Sequence, residues 1–469
     1  MRERTGLRAR EAGGTLYRAV RAVARFWIWF FFRAIEVRHP ERVPRAGPVL
    51  LAINHPNNLI DSLIVGARME REVHFLATAS LFRNPMLARF LSRVGVIPIH
   101  RRQDDPAHAA RNTEAFEACF RALERGGLIA MYPEGTTHAE PRVQRIRTGA
   151  ARIALETEAR HEGRLGLTLL PVGLNFDARK SFRTRVLLSF GEPTAVTPFL
   201  SAYREDAFAA VNALTTLIQE GMEAEVINVA RLDLAGLIHE VEALYRDELA
   251  AALREERGLA PAQVDPFRLS RSIAEAVHYF AAHEPARLEH LVRRIEGYRA
   301  LLAAHRVRDA AVRQRARHVP ARRSLRLTSA ALLGLPVFVY GATVNALPYY
   351  VPRWLARALA RKETDYATVR LLASVVAFPL FWGLEIWLVR LVGGPLAMLA
   401  FALSLPLSGL AAYRYLGGLA GLRAGLGFAV LALTHRQAAA RLVDDRRAIL
   451  RELEEAKAIY LAATHGSSW

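Results

Sequence analysis

The sequence predicts an α/β fold, a mostly parallel central sheet flanked by helices, followed by a helical region and C-terminal membrane helices. Three observations carry that prediction. Between about Val49 and Gly191, short apolar runs alternate with helical patterns, the signature of strands buried on both faces and separated by covering helices. From about Ser201 to Arg317 the chain is amphipathic and rich in charge, with no strong strand run. Beyond "ARRSLR" three apolar stretches reach roughly the 20 residues that a bilayer requires.

The N-terminal stretch "TLYRAVRAVARFWIWFFFRAIEV" has a short aromatic core, Phe26 to Phe32, bracketed by Arg18, Arg21, Arg25 and Arg33. It reads as an amphipathic helix on a membrane surface, assigned to residues 1–37; packing of the helix on its own domain is the alternative. No small-residue cleavage site follows it, so a removed signal peptide is not expected. An α/β domain is then assigned to residues 38–200. "VLLAINH", "VHFLAT", "VGVIPIH", "GLIAMYP", "LTLLPVGLNF" and "RVLLSFG" read as its strands. "IDSLIVGARM", "LFRNPMLARFLSRV", "AARNTEAFEACFRALER" and "RTGAARIALETEAR" read as its helices. Sheets of this kind carry their sites at the carboxyl ends of strands, and the polar clusters of this chain fall there.

Residues 201–318 are assigned to a helical region, residues 319–435 to hydrophobic membrane segments and residues 436–469 to a charged C-terminal helix. The apolar stretches are "LTSAALLGLPVFVYGATVNALPYYV", "LLASVVAFPLFWGLEIWLVRLV" and "PLAMLAFALSLPLSGLAAY". Pro336, Pro379 and Pro406 break soluble helices but are tolerated within a membrane. Gly393, Gly394 and Pro395 join the last two stretches into an expected transmembrane hairpin. Glu385 and Arg390 inside it must pair, snorkel or face protein. The first stretch has arginines on both sides, against the positive-inside tendency, so it is expected to re-enter or lie shallow. A buried helical hairpin is the alternative.

Composition narrows the partners. The formal net charge is +19 and 52% of residues are hydrophobic, with Lys180, Lys362 and Lys457 the only lysines. Such an excess attracts polyanions. The basic residues surround apolar segments and form no nucleic-acid-binding module, so membrane lipids are the expected partner and nucleic acid is not. A single cysteine, Cys119, excludes an internal disulfide framework. The histidines lack partners at structural zinc spacing, so no metal is expected.

Four polar clusters follow strands of the α/β region. "INHPNNLID" places His55 and Asp61 on either side of a turn at Pro56 and Asn57; an imidazole held by a carboxylate accepts a hydroxyl proton, while a capped turn is the bland alternative. "GVIPIHRRQDD" sets His100, Arg101 and Arg102 at a strand's end, where guanidiniums suit a phosphate. "MYPEGTTH" offers Glu134 and the backbone of Gly135, Thr136 and Thr137. "LLPVGLNF" carries Pro171, a pocket wall or simple packing, with Arg179 and Lys180 shortly after as further phosphate or headgroup candidates.

In this order and at these separations the clusters resemble the glycerophospholipid acyltransferase family, over roughly Arg38 to Pro193. The "NHPN" form and "RTGAARIAL" look like bacterial members with hydrophobic C-terminal segments. The resemblance implies His55 as general base and Asp61 as its orienting carboxylate. Arg101, Glu134 and Gly135, with Thr136 beside them, would bind the phosphoglycerol part of the acceptor, and Pro171 would line the acyl-donor side. It implies acyl transfer from acyl-CoA or acyl-carrier protein, as co-substrate and without other cofactor, to glycerol-3-phosphate or a lysophospholipid. The expected location is the inner (cytoplasmic) membrane, catalytic domain facing the cytoplasm. Lysophosphatidic acid or another acceptor, such as a lyso-aminolipid or dihydroxyacetone phosphate, and a non-catalytic lipid-binding membrane scaffold are the alternatives. One departure bears on the site. The commonest family pattern has four residues between His and Asp, whereas Pro56, Asn57, Asn58, Leu59 and Ile60 intervene here. Either an extra turn residue is absorbed and Asp61 reaches His55 directly, or Asn57 or Asn58 takes part of the orienting role.

Overall fold

The computed structural model describes residues 14–100, 112–227, 232–258, 260, 264–316 and 321–464. The chain divides into two compact units: Met1–Asn228 with Leu355–Leu372, and Val229–Trp354 with Ala373–Trp469.

The first unit follows the predicted alternation. Helix α1 (Thr15–Phe31) leads into β1 (Ala34–Arg38), β2 (Val49–Ile53), α2 (Leu59–Arg68), β3 (Val73–Thr78), α3 (Pro85–Arg93), β4 (Ile97–Ile99) and α4 (Asn112–Glu124). Then come β5 (Leu128–Met131), α5 (Gly149–Arg160), β6 (Thr168–Phe176), β7 (Arg185–Phe190), β8 (Thr194–Ala195), α6 (Leu200–Glu205) and α7 (Ala207–Glu225). The sheet runs β1-β7-β6-β2-β5-β3-β4, with β8 also on β6. Pairing is parallel except for β6 with β7 and with β8. Strand β2 lies centrally between β5 and β6, and all five of its residues are buried, as its unbroken apolar run requires.

One face of the sheet is covered by α4, α5 and α7, around Leu50, Ala52, Ile129 and Leu169. The opposite face is covered by α1 and α2, around Leu51, Ile53, Ala130 and Leu170. Alternate residues of each strand thus feed opposite cores. Three boundaries differ from the sequence reading. The N-terminal helix stops at Phe31, and Ala34–Arg38 instead pair in parallel with β7 at the edge of the sheet, so tertiary pairing and not the local pattern decides their state. Helix α7, placed by sequence in the helical region, packs on the sheet: Leu214, Ile218 and Met222 are fully buried there and Gly221 abuts the Pro171 ring. Residues 355–372, assigned by sequence to the membrane segments, belong to this unit, where Ala367 and Leu371 join the α1–α2 core.

The second unit is helical. It holds α8 (Ala235–Arg257), α9 (Pro266–His283), α10 (Pro285–Ala304), α11 (Asp309–Ala316) and α12 (Ala321–Val344). Helix α13 (Ala346–Leu359) and helix α14 (Tyr366–Thr434) each have one part in this unit and one in the first, and α15 (Arg436–Ala463) closes the chain. Leu249, Ile295, Val312 and Leu442 form its core, and buried Arg446 donates to Asp309 Oδ1 at 2.9 Å and Glu248 Oε1 at 3.1 Å. Among the described residues one helical stretch, Glu363–Leu419, is long and apolar enough to cross a membrane, and no part of its apolar window is buried. Gly394 leaves helical geometry within it (φ 75°, ψ −174°), just before Pro395, at the joint that the sequence indicates.

Candidate active site

The site forms where two neighbouring strands send their chains to opposite faces of the sheet. Strand β2 continues into α2 on one face, and the adjacent β5 continues into α5 on the other. Such a switch opens a crevice at the carboxyl ends of the strands. The turn after β2 contributes His55 and the loop after β5 contributes Tyr132 to Thr137. Asn54 ties the end of β2 to β6, donating to Leu174 O at 3.0 Å and accepting from Leu174 N at 2.7 Å. His55 therefore leaves a fixed strand end.

The turn itself answers the spacing question. Asp61 lies in the first turn of α2, wholly buried, with its Oδ2 2.9 Å from His55 Nδ1. Asn57 N donates to the same oxygen at 2.8 Å. The extra residue is absorbed at Asn58, which adopts φ 51° and ψ −132°, a region that glycine fills in primed turns. Asparagine tolerates positive φ better than most residues, yet such a conformation costs on the order of 1–3 kcal/mol and needs surrounding support. Asp61 reaches His55 directly, so neither asparagine has to stand in for it.

The imidazole is fixed in its plane as well as at Nδ1. Its ring stacks on Tyr132, centroids 3.7 Å apart and planes 12° from parallel. The Tyr132 hydroxyl shares a 2.7 Å hydrogen bond with Ser62 Oγ, one residue beyond Asp61. Burial pushes the Tyr132 phenol well above its ordinary range, so it stays protonated. Burial likewise raises the Asp61 carboxyl, opposed by its hydrogen bond with His55. The His55 side chain is 15% exposed, and with Nδ1 directed to Asp61 the ring nitrogen left for other chemistry is Nε2.

Glu134 joins the two loops. Its Oε1 accepts from His55 N at 2.9 Å; its Oε2 accepts from Gln144 N at 2.9 Å and pairs with His138 Nε2. The carboxylate is buried and both oxygens are engaged, so its observed work is to hold the His55 backbone against the second loop. Gly135 has φ 72°, and a Cβ there would meet the Arg147 side chain at 2.8 Å, so the guanidinium lies directly against the glycine backbone. Thr136 Oγ1 donates to Thr137 O at 3.5 Å. Half-buried Arg179 donates to the carbonyls of His138 and Ala139, while Lys180 pairs with Glu363 at 3.1 Å.

The structure thus brings His55, Asp61, Glu134, Gly135 and Thr136 into one crevice. It does not bring Pro171 there: the ring sits mid-strand on β6, opposite Ala52, against Gly191 and Gly221 on the α7 side. Arg101 lies outside the described residues. Sequence reasoning passed over Tyr132, although it stands within the quoted "MYPEGTTH", because an aromatic residue at a strand end is ordinary core. It also gave no role to His138, the last residue of that motif, or to Arg147, the first residue of "RTGAARIAL". Nothing in the sequence signals that residues 363–370 reach this site.

Residues 34–175 match the family model described as Acyltransferase. The chain is similar to an uncharacterized acyltransferase of Schizosaccharomyces pombe, 23% identical over 46% of this chain and 45% of that one. It is similar to glycerol-3-phosphate O-acyltransferase 2 of Saccharomyces cerevisiae, 29% identical over 29% of this chain and 18% of the relative. It is also similar to the 1-acyl-sn-glycerol-3-phosphate acyltransferase of Bacillus subtilis, 22% identical over 26% of this chain and 56% of the relative. The chain spans about half the length, or less, of these curated relatives.

Proposed function

We propose that this chain, an acyltransferase-family member through residues 34–175, transfers a fatty acyl group from acyl-CoA or acyl-carrier protein to glycerol-3-phosphate or a lysophospholipid hydroxyl at a membrane. The observation that carries the reading is the His55 Nδ1 to Asp61 Oδ2 contact at 2.9 Å, in a family domain whose curated relatives are named for glycerol phosphate and acylglycerol phosphate acceptors.

In this mechanism Asp61 fixes the Nδ1–H tautomer, and Tyr132 fixes the ring plane. Nε2 takes the proton from the acceptor hydroxyl as its oxygen attacks the thioester carbonyl. Backbone amides at the crevice stabilise the tetrahedral oxyanion. Collapse breaks the carbon–sulfur bond, and the imidazolium returns its proton to the leaving thiolate. No acyl-enzyme forms, since the acceptor oxygen is itself the nucleophile. Arg147, against Gly135, and Arg101 supply cationic groups for the acceptor phosphate. The exposed apolar window within Glu363–Leu419 and the outward face of α1 hold the domain at the inner membrane, on its cytoplasmic side.

The test is acyl transfer by the purified protein, given labelled acyl-CoA or acyl-carrier protein and a panel of phosphorylated and lysolipid acceptors, with His55→Ala as control. Wild-type transfer lost in the folded variant supports the reading. Lipid binding with no transfer or thioester hydrolysis to any acceptor replaces it with the scaffold alternative.

A further inference from the structure

The strained turn that sets Asp61 against His55 is held by residues more than three hundred positions along the chain. Asn58 Nδ2, on the residue with positive φ, donates to Asp365 Oδ1 at 2.8 Å. Thr368 Oγ1 donates to the carbonyl of Asn57 at 3.4 Å. Thr137 and Thr364 hydroxyls meet at 3.2 Å, and Lys180 pairs with Glu363. The segment is itself anchored. Ala367 and Leu371 are 1% and 2% exposed in the α1–α2 core, and the buried Arg370 guanidinium lies 5.9 Å from the Phe31 ring centroid and 5.6 Å from that of Phe182.

We infer that Glu363–Thr368 is a clamp on the catalytic turn, with Asp365 the positioning residue that keeps Asn58 in its unfavourable conformation and so keeps Asp61 on His55. The segment's chain position matters, because Asp365 is the residue immediately before α14, the helix that carries the long apolar stretch. The first turn of that helix therefore supplies part of the support for the proton-accepting group. This goes beyond the family-domain reading: the matched residues end at 175, well short of the clamp. It rests on the acyltransferase reading only where activity is the readout.

Asp365 also accepts from Lys362 N at 3.2 Å, so its loss could act by fraying the start of α14. A double-mutant cycle with Asn58 separates the two routes. Asp365→Ala in the full chain is expected to lower kcat about tenfold, as for a lost charged hydrogen bond, with the acceptor KM within about twofold. Glycine takes positive φ without strain, so in an Asn58→Gly background the same substitution should have little further effect. Asp365→Asn, which keeps an acceptor oxygen, should restore most of the rate. Equal losses in both backgrounds, or no loss in either, overturn the clamp.

A second measurement does not depend on any reaction. Hydrogen exchange of the peptide spanning residues 54–61 in the full-length protein reads the Asn57 amide, which donates to Asp61. Exchange is expected to quicken about tenfold in Asp365→Ala and to stay near wild type in Asp365→Asn. Unchanged protection in the alanine variant refutes the clamp even if no acceptor is ever turned over. A wild type that transfers acyl groups with an additive cycle refutes the clamp alone; a wild type inactive on the whole panel refutes the enzyme reading and leaves the exchange result to decide the clamp.

Discussion

The crevice of the first unit and the long apolar stretch of α14 break opposite rules of globular proteins. In the crevice, ionisable groups are buried: Asp61 is 0% exposed and Glu134 4%. Along α14, large apolar side chains are exposed: Val392 is 93% exposed and Leu407 69%. Ordinary packing explains neither, and buried polar groups and exposed apolar patches are the informative exceptions on any protein. The difference lies in how each exception is compensated. Glu134 is compensated through both oxygens and Asp61 through Oδ2 alone, its buried Oδ1 having no hydrogen-bond partner among the described residues. The exposed side chains of α14, Val392 and Leu407 among them, are left uncovered by protein; a lipid environment would supply what water does not.

The largest break in this contrast is expected at His55. His55→Ala removes the proton acceptor and should lower kcat by about 10²–10⁴-fold, measured as labelled acyl transfer by the folded variant. Asp61→Asn sharpens the contrast, because activity and stability should move in opposite directions. Loss of the charge that orients and supports the imidazole should lower kcat by roughly 10²–10³-fold. Burial raises the Asp61 carboxyl, so its ionised form is disfavoured in the fold relative to the unfolded chain. A raised pKa gives a stability contribution that is present at low pH and lost as pH rises through it. The asparagine variant should therefore unfold at a higher temperature than wild type at neutral pH, with the advantage shrinking as the pH falls. An advantage that grows in acid contradicts this account of the site.

For α14, Leu388→Arg introduces a charge on an exposed apolar position, at a cost of about 2.5–3.5 kcal/mol if that position lies mid-bilayer. The expected outcome is a shift of the protein from the membrane to the alkaline-extractable fraction, with the crevice residues intact. Retention equal to wild type shows that this face meets protein instead. The smallest effect is expected at Lys180→Ala. Its partner Glu363 is half exposed, as is Lys180, and such pairs contribute about 0–1 kcal/mol. Chemical denaturation should show little change; a large one would mean that the clamp depends on this ion pair rather than on Asp365.

Much of the first unit was legible in the sequence because its signals are local. A continuous apolar run such as "VLLAI" fits a strand buried on both faces, and the observed β2 covers those residues. The pair of β3 with "VHFLAT" is as close. Where signals compete, the reading slipped: Ala34–Arg38 continue an aromatic-rich helix pattern and only their pairing with β7 makes them a strand. Helix α7 carries the same amphipathic character as the helices after it, and only its packing on the sheet, with Leu214, Ile218 and Met222 buried and Gly221 against Pro171, shows which surface it covers.

By itself, the sequence determined the α/β character of residues 49–191, the order of the polar clusters and the apolar C-terminal stretches, since composition and period suffice for each. The tertiary structure decided what those clusters do to one another. That Asp61 meets His55 across five intervening residues depends on one backbone angle at Asn58, and that Glu134 spends both oxygens on neighbouring loops depends on β2 and β5 lying side by side. That Asp365 reaches Asn58 depends on the chain returning to the first unit after residue 354. None of these is a property of residue spacing, because sequence separation sets how far a chain can reach and not where it turns back.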